Sequence, residues 1–122
     1  MRLLLGIGGN EDGFDALAAT IDRVRATGDE LSVAVLDHPG VDTPIDEVEA
    51  AVRDRLANAA VTAEVVSLDG EPGPALVELA ETEGYDRIVL GGGERSPMGK
   101  LTVGPVGEFV VLNSTVSVTL IR

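Results

Sequence analysis

The sequence predicts an α/β fold: a doubly wound three-layer sandwich, Rossmann-like, built on a five-stranded, mainly parallel sheet of order 3-2-1-4-5. Three observations predict it. Short apolar runs alternate with longer stretches whose apolar residues recur at helical spacing, giving β-α-β-α-β-α-β-α-β. The runs are apolar enough to be covered by helices on both faces, which parallel strands require. Glycine clusters follow the first and fourth runs, Gly8-Gly9-Asn10 and Gly91-Gly92-Gly93. In this strand order those two runs flank the point where the order reverses, and ligands bind there.

The elements follow in order. Arg2 to Ile7 is the first strand. Asn10 is placed to cap a helix, with Asp12 and Asp15 near its positive end and Phe14, Leu17, Ala18, Ile21 and Val24 on its buried stripe. Gly28 stops it. Leu31 to Leu36 is the second strand. Thr43 then Pro44 reads as a helix start, a capping hydroxyl followed by proline in the first turn. Ile45, Val48, Val52, Leu56 and Ala59 form that helix's stripe. Val61 to Leu68 is the third strand, and Asp69 to Pro74 a loop by composition. Ala75, Leu76, Leu79 and Ala80 mark a third helix that ends near Gly84, and Arg87 to Leu90 the fourth strand. Val106, Phe109, Val110 and Asn113 keep helical spacing despite their β-branched content. Val116 to Ile121 closes the sheet as the fifth strand.

Composition bounds the function. A chain of 122 residues, 44% hydrophobic and 25% charged, reads as a single globular domain over residues 1–122 and excludes disorder. It has no cysteine, so disulfides and thiol chemistry are excluded. No run has the length of a membrane span and no secretory leader is legible, so a cytoplasmic location with no membrane partner is expected. The net charge is −12, and Lys100 is the only lysine. Such a surface repels itself unless salt screens it, which points to halophilic, salt-rich surroundings. With no basic stripe, a nucleic-acid partner is not expected.

The chemistry concentrates in Ile88-Val89-Leu90-Gly91-Gly92-Gly93-Glu94, a buried run emptying into three glycines. Residues without Cβ let backbone N–H groups approach a ligand. With Gly70-x-Pro72 before the third helix and Tyr85-Asp86-Arg87-Ile88-Val89-Leu90-Gly91 entering the loop, the chain resembles the universal stress proteins over essentially its full length. Nucleotide-binding members carry Gly-x2-Gly-x9-Gly-(Ser/Thr) from that strand, and an Asp near the adenosine at the end of the first strand. Here Gly91 takes the first glycine position and Glu94 the second. Arg95 through Val103 fill the nine-residue spacer, Gly104 takes the third glycine position, and Pro105 stands where the hydroxyl belongs. Gly8 stands where the Asp would be. Glu94 sets a like charge against phosphate, Pro105 removes a hydroxyl and an N–H, and Gly8 removes an acceptor.

The resemblance therefore implies a stress-response associated small α/β protein that does not bind ATP through the usual loop. It is expected to have no cofactor and no catalytic residues, and to act through a protein partner the sequence does not name. The alternative is an ATP- or nucleotide-binding sensor module with a modified loop site drawn from Gly8, Gly91, Gly92, Gly93, Arg95, Ser96 and Gly104, with Lys100 near. Gly93 to Lys100 superficially imitates a phosphate-binding P-loop, but the Gly93–Gly99 spacing is one residue too long, and Leu101 replaces the hydroxyl residue. Asp37-His38 lacks a neighbouring nucleophile, and His38 with Asp37 and Asp42 makes no recognised metal set. The fifth strand ends the sheet with an open edge, a pairing hazard unless it is used. Relatives pair that strand with its twofold mate, so the resemblance implies a homodimer through Val116 to Ile121.

Overall fold

The computed structural model describes residues 1–8, 11–37, 42–92, 94–95, 101–102 and 104–121. Leu3, Leu4 and Leu5 are consecutive and fully buried, so the first strand, β1 (Arg2–Ile7), has cover on both faces. It is the central strand. Helix α1 (Glu11–Thr27) follows, then β2 (Glu30–Leu36), α2 (Ile45–Asn58), β3 (Glu64–Leu68), α3 (Pro72–Thr82) and β4 (Arg87–Gly91). Two short strands come next, β5 (Glu94–Arg95) and β6 (Leu101–Thr102), before α4 (Pro105–Asn113) and β7 (Ser117–Ile121). The main sheet runs β3-β2-β1-β4-β7 with every pairing parallel. That is the expected order 3-2-1-4-5, with β7 as its fifth strand.

The helices divide between two faces, as right-handed crossovers require when the chain reverses direction across a sheet. Leu3, Leu5, Ile7, Val33, Val35 and Val89 meet α1 and α2 on one face. Leu4, Ala34, Leu36, Ile88 and Leu90 meet α3 and α4 on the other. Gly6 keeps this second face close-packed: a Cβ there would lie 2.8 Å from Leu76 Cδ2 and 2.9 Å from Leu90 Cδ2.

Several local expectations change. In α1 the buried stripe is Gly13, Ala16, Leu17, Thr20 and Ile21, and Ala18 is exposed. Thr20 can be buried because its hydroxyl donates to the Ala16 carbonyl at 2.7 Å, so a polar letter hides a core position. Asn10, the expected cap, lies outside the described residues. Gly28 ends α1 as expected, with φ +78° and its N–H on the Val24 carbonyl at 2.8 Å. At α2 the cap is Pro44, not Thr43. No side chain caps the helix, and the Pro44 carbonyl accepts from Glu47 and Val48. Strand β3 begins at Glu64 and not Val61, because its pairing with β2 begins at Ser32↔Glu64. Helix α3 starts at Pro72 and absorbs part of the expected loop, since proline is tolerated in a first turn.

Candidate functional site

The order of the sheet reverses between β1 and β4. Their register, Gly6↔Leu90, sets Ile7 and Gly8 beside Gly91 and Gly92 at the C-terminal ends of the strands. The described members of the two glycine clusters, Gly8 and Gly91-Gly92, therefore lie at neighbouring strand ends. Gly8 is buried there, and Gly91 and Gly92 are half-buried. Gly92 sits at φ +145°, a conformation that side chains rarely adopt. Its N–H donates to the Ile121 carbonyl at 3.0 Å. That amide is spent on holding β7, so it is not free to face an anion.

Beyond Gly92, β5 and β6 pair antiparallel as a small hairpin ladder. Glu94 pairs with Thr102 and Arg95 with Leu101. The chain thus folds back on itself between the first and third glycine positions. The sequence reading missed this hairpin. Pro97 and Gly99, midway between the two strands, were the available turn signal. Of the residues expected to form a modified site, Gly93 and Ser96 lie outside the described residues, as do Lys100 and His38. Arg95 is placed by its backbone alone.

Past the hairpin, Gly104 is the N-cap of α4 and Pro105 its first residue. The Gly104 carbonyl accepts from Glu108 N–H at 2.9 Å, and no side chain caps the helix. A Cβ at Gly104 would meet nothing within 4 Å, so packing does not demand glycine there. The helix start faces a groove of about 330 Å³ shared with the start of α3. Glu71, Pro72, Gly73, Pro74, Pro105 and Phe109 line it. Helix N-termini favour anions through their free N–H groups. Here three prolines carry no N–H, and the one charged residue among the described lining residues is an acid. Sequence reasoning did not find this groove, because it arises from contact between two helices far apart in the chain.

A second recess of about 290 Å³ opens beyond β2 and β3, with Asp37, Asp42 and Asp69 at its rim. Among the described residues no group of acids and histidines could hold a metal ion. No helix among them is long and apolar enough to cross a membrane.

A family model described as the universal stress protein family matches residues 1–122. No curated protein matches the chain significantly. Among solved structures, a universal stress protein from Archaeoglobus fulgidus is 21% identical, with a TM-score of 0.77 over 100% of this chain and 98% of its own. A universal stress protein in complex with cAMP is 23% identical, with a TM-score of 0.76 over 100% and 96%. An Arabidopsis thaliana universal stress protein family protein with AMP bound is 14% identical, with a TM-score of 0.74 over 99% and 90%. Identities this low carry the fold alone.

Proposed function

The chain belongs to the universal stress protein family, and from that premise we propose that it is a non-catalytic, homodimeric stress-response protein whose inherited nucleotide cradle no longer binds ATP. One observation carries the reading: Pro105 begins α4 at the place where a phosphate would need an N–H and a hydroxyl. Three features add to it. Glu94 is held in the hairpin backbone, Gly92 N–H is engaged by Ile121, and Gly8 offers no side chain to a nucleoside. Function then passes to the surface, through association with a partner protein. The test is titration of purified protein with ATP in molar salt, alongside the nucleotide content of freshly isolated protein. No heat and no bound nucleotide are expected. Stoichiometric nucleotide would overturn the reading.

The homodimer is proposed through β7. It ends the sheet, so its outer edge has no strand beside it among the described residues. Val111 and Leu112, 49% and 73% exposed, lie in the last turn of α4, just before that edge. Apolar side chains next to an open strand suit burial against a second copy.

A second reading, a nucleotide-binding sensor module, is favoured by the solved relatives that hold cAMP and AMP. It would draw on Gly8, Gly91, Gly92, Gly93, Arg95, Ser96 and Gly104. The same titration decides between the two.

A further inference from the structure

We propose that Arg23 and Arg87 of one protomer receive the carboxylate of Asp15 from a second copy, across the β7 edge. The proposal rests on the edge-paired dimer of the preceding reading. Its starting point is a charge without a counterion among the described residues. Arg87 lies on the α1 face of β4, and its NH1 donates to Thr119 Oγ1 at 3.0 Å. Its Nε is buried with no acceptor. Among the described residues its guanidinium forms no ion pair, in a chain with 21 acidic and nine Lys and Arg residues. Covered charges are costly unless paired, so an acceptor is owed to this site.

Room for one is present. A cavity of about 60 Å³ between α1 and the β4–β7 edge is lined by Ala19, Thr20, Arg23, Arg87 and Thr119, with apolar neighbours of which Ile121 is one. That volume suits a carboxylate. Arg23 is exposed, and its Nε makes one long ion pair, 3.5 Å to Asp29 Oδ2. Its NH2 lies 3.9 Å from Met1 Sδ. Two arginines thus line one small recess at the open edge of the sheet.

The dimer geometry supplies the acid. A twofold axis normal to the sheet at Thr119, the middle of β7, keeps both copies of α1 on the same face and sets them antiparallel. Ala19 lines the cavity beside Thr119. Asp15 and Arg23 lie one turn to either side of Ala19 on the same helix stripe. The twofold exchanges these two ends, so Arg23 of each copy meets Asp15 of the other. Helices over β4 in the two copies stand about three strand spacings apart, roughly 14 Å. Subtracting two backbone radii of about 2.3 Å leaves about 10 Å, a gap an extended arginine facing an aspartate can bridge. Exposed Ala18 and Ala19 put no bulk between them.

The test is sedimentation equilibrium on wild type, Arg23→Glu, Asp15→Arg, the Arg23→Glu/Asp15→Arg swap and Arg87→Met, with circular dichroism as the folding control. Each single variant should raise the dimer Kd about tenfold, and the swap should return it to within about threefold of wild type. Arg87→Met should weaken the dimer without lowering the melting temperature of the dilute monomer. If wild type is dimeric and the single variants leave Kd unchanged, the inference falls and the edge-paired dimer stands. If the single variants weaken the dimer and the swap does not restore it, the Arg23–Asp15 pairing is wrong. A wild type monomeric at every concentration overturns the dimer itself.

Discussion

In the proposed reading Pro105 decides more than any other residue, because one imino acid at the start of α4 carries neither the N–H nor the hydroxyl a phosphate would use. The repair is correspondingly small. Pro105→Ser with Glu94→Gly and Gly8→Asp should bring ATP binding from undetectable to a sub-millimolar Kd, worth more than about 4 kcal/mol. Titration calorimetry reads the gain. Gly8 is buried, so circular dichroism must first show that the aspartate is tolerated. A folded triple variant that still ignores ATP would mean the crevice is not the inherited cradle. The spacing from Gly91 to Gly104 made Glu94 and Pro105 legible in the sequence, and the end of the first strand marked Gly8. The engagement of Gly92 N–H by Ile121 was not, since it depends on the last strand of the chain. A second residue-level prediction concerns pH. The Met1 amine donates to Asp29 Oδ1 at 2.7 Å. That hydrogen bond raises the amine pKa and lowers that of Asp29. The raised amine contributes stability below its unfolded value near ~8, lost as pH rises through the folded value. The lowered carboxyl contributes stability above its unfolded value near ~4, lost as pH falls through the folded value. Asp29→Asn should therefore lower the melting temperature most at neutral pH, with the gap to wild type closing at both extremes. A pH-independent gap would show that the pairing is not what Asp29 contributes.

At the level of elements, strands and helices were legible where a single stripe decided them, and misplaced where a partner did. The start of β3 is set by Ser32 of β2, and the start of α3 by prolines that fit a first turn as well as a loop. The β5–β6 hairpin has strands of two residues each, too short to leave any periodicity. Strand β7 carries the prediction at this scale. The Ile121 carbonyl points inward, accepting from Gly92. N–H and C=O of one residue point the same way along a strand, so Ser117 and Thr119 also face β4. Val118 and Leu120 must then direct their amides to the open edge. Val118→Pro would delete an edge donor while leaving every β4–β7 hydrogen bond in place, as prolines on natural edge strands do. The variant should fold and sediment as a monomer where wild type is dimeric. A dimer of unchanged affinity would show that protomers do not join through the β7 backbone.

For the whole molecule, the apolar runs made the layers legible, and the glycine clusters after the first and fourth strands made the reversal point legible. The groove between α3 and α4 and the buried Arg87 Nε with no acceptor among the described residues were not, because each is a relation between surfaces and no local pattern encodes it. The charge imbalance was visible from the start, and its consequence belongs to the entire surface. Among the described residues there are four ion pairs in a chain of net charge −12, and each includes a group at least 37% exposed. Exposed pairs of this kind contribute about 0–1 kcal/mol each, too little to offset the repulsion among the remaining acids. Salt shortens the range of that repulsion from about 10 Å at 0.1 M to about 3 Å at 1 M. The melting temperature should therefore rise by several degrees across that range of KCl. Salt also strengthens apolar burial, so the rise alone does not identify its source. Asp54, Glu64 and Glu78 are exposed. Changing all three to Lys halves the charge imbalance without touching the core. If self-repulsion is what salt relieves, the triple variant should melt higher than wild type at low salt and gain less from added KCl. If both proteins gain equally, the acidic surface is not what limits stability in dilute buffer.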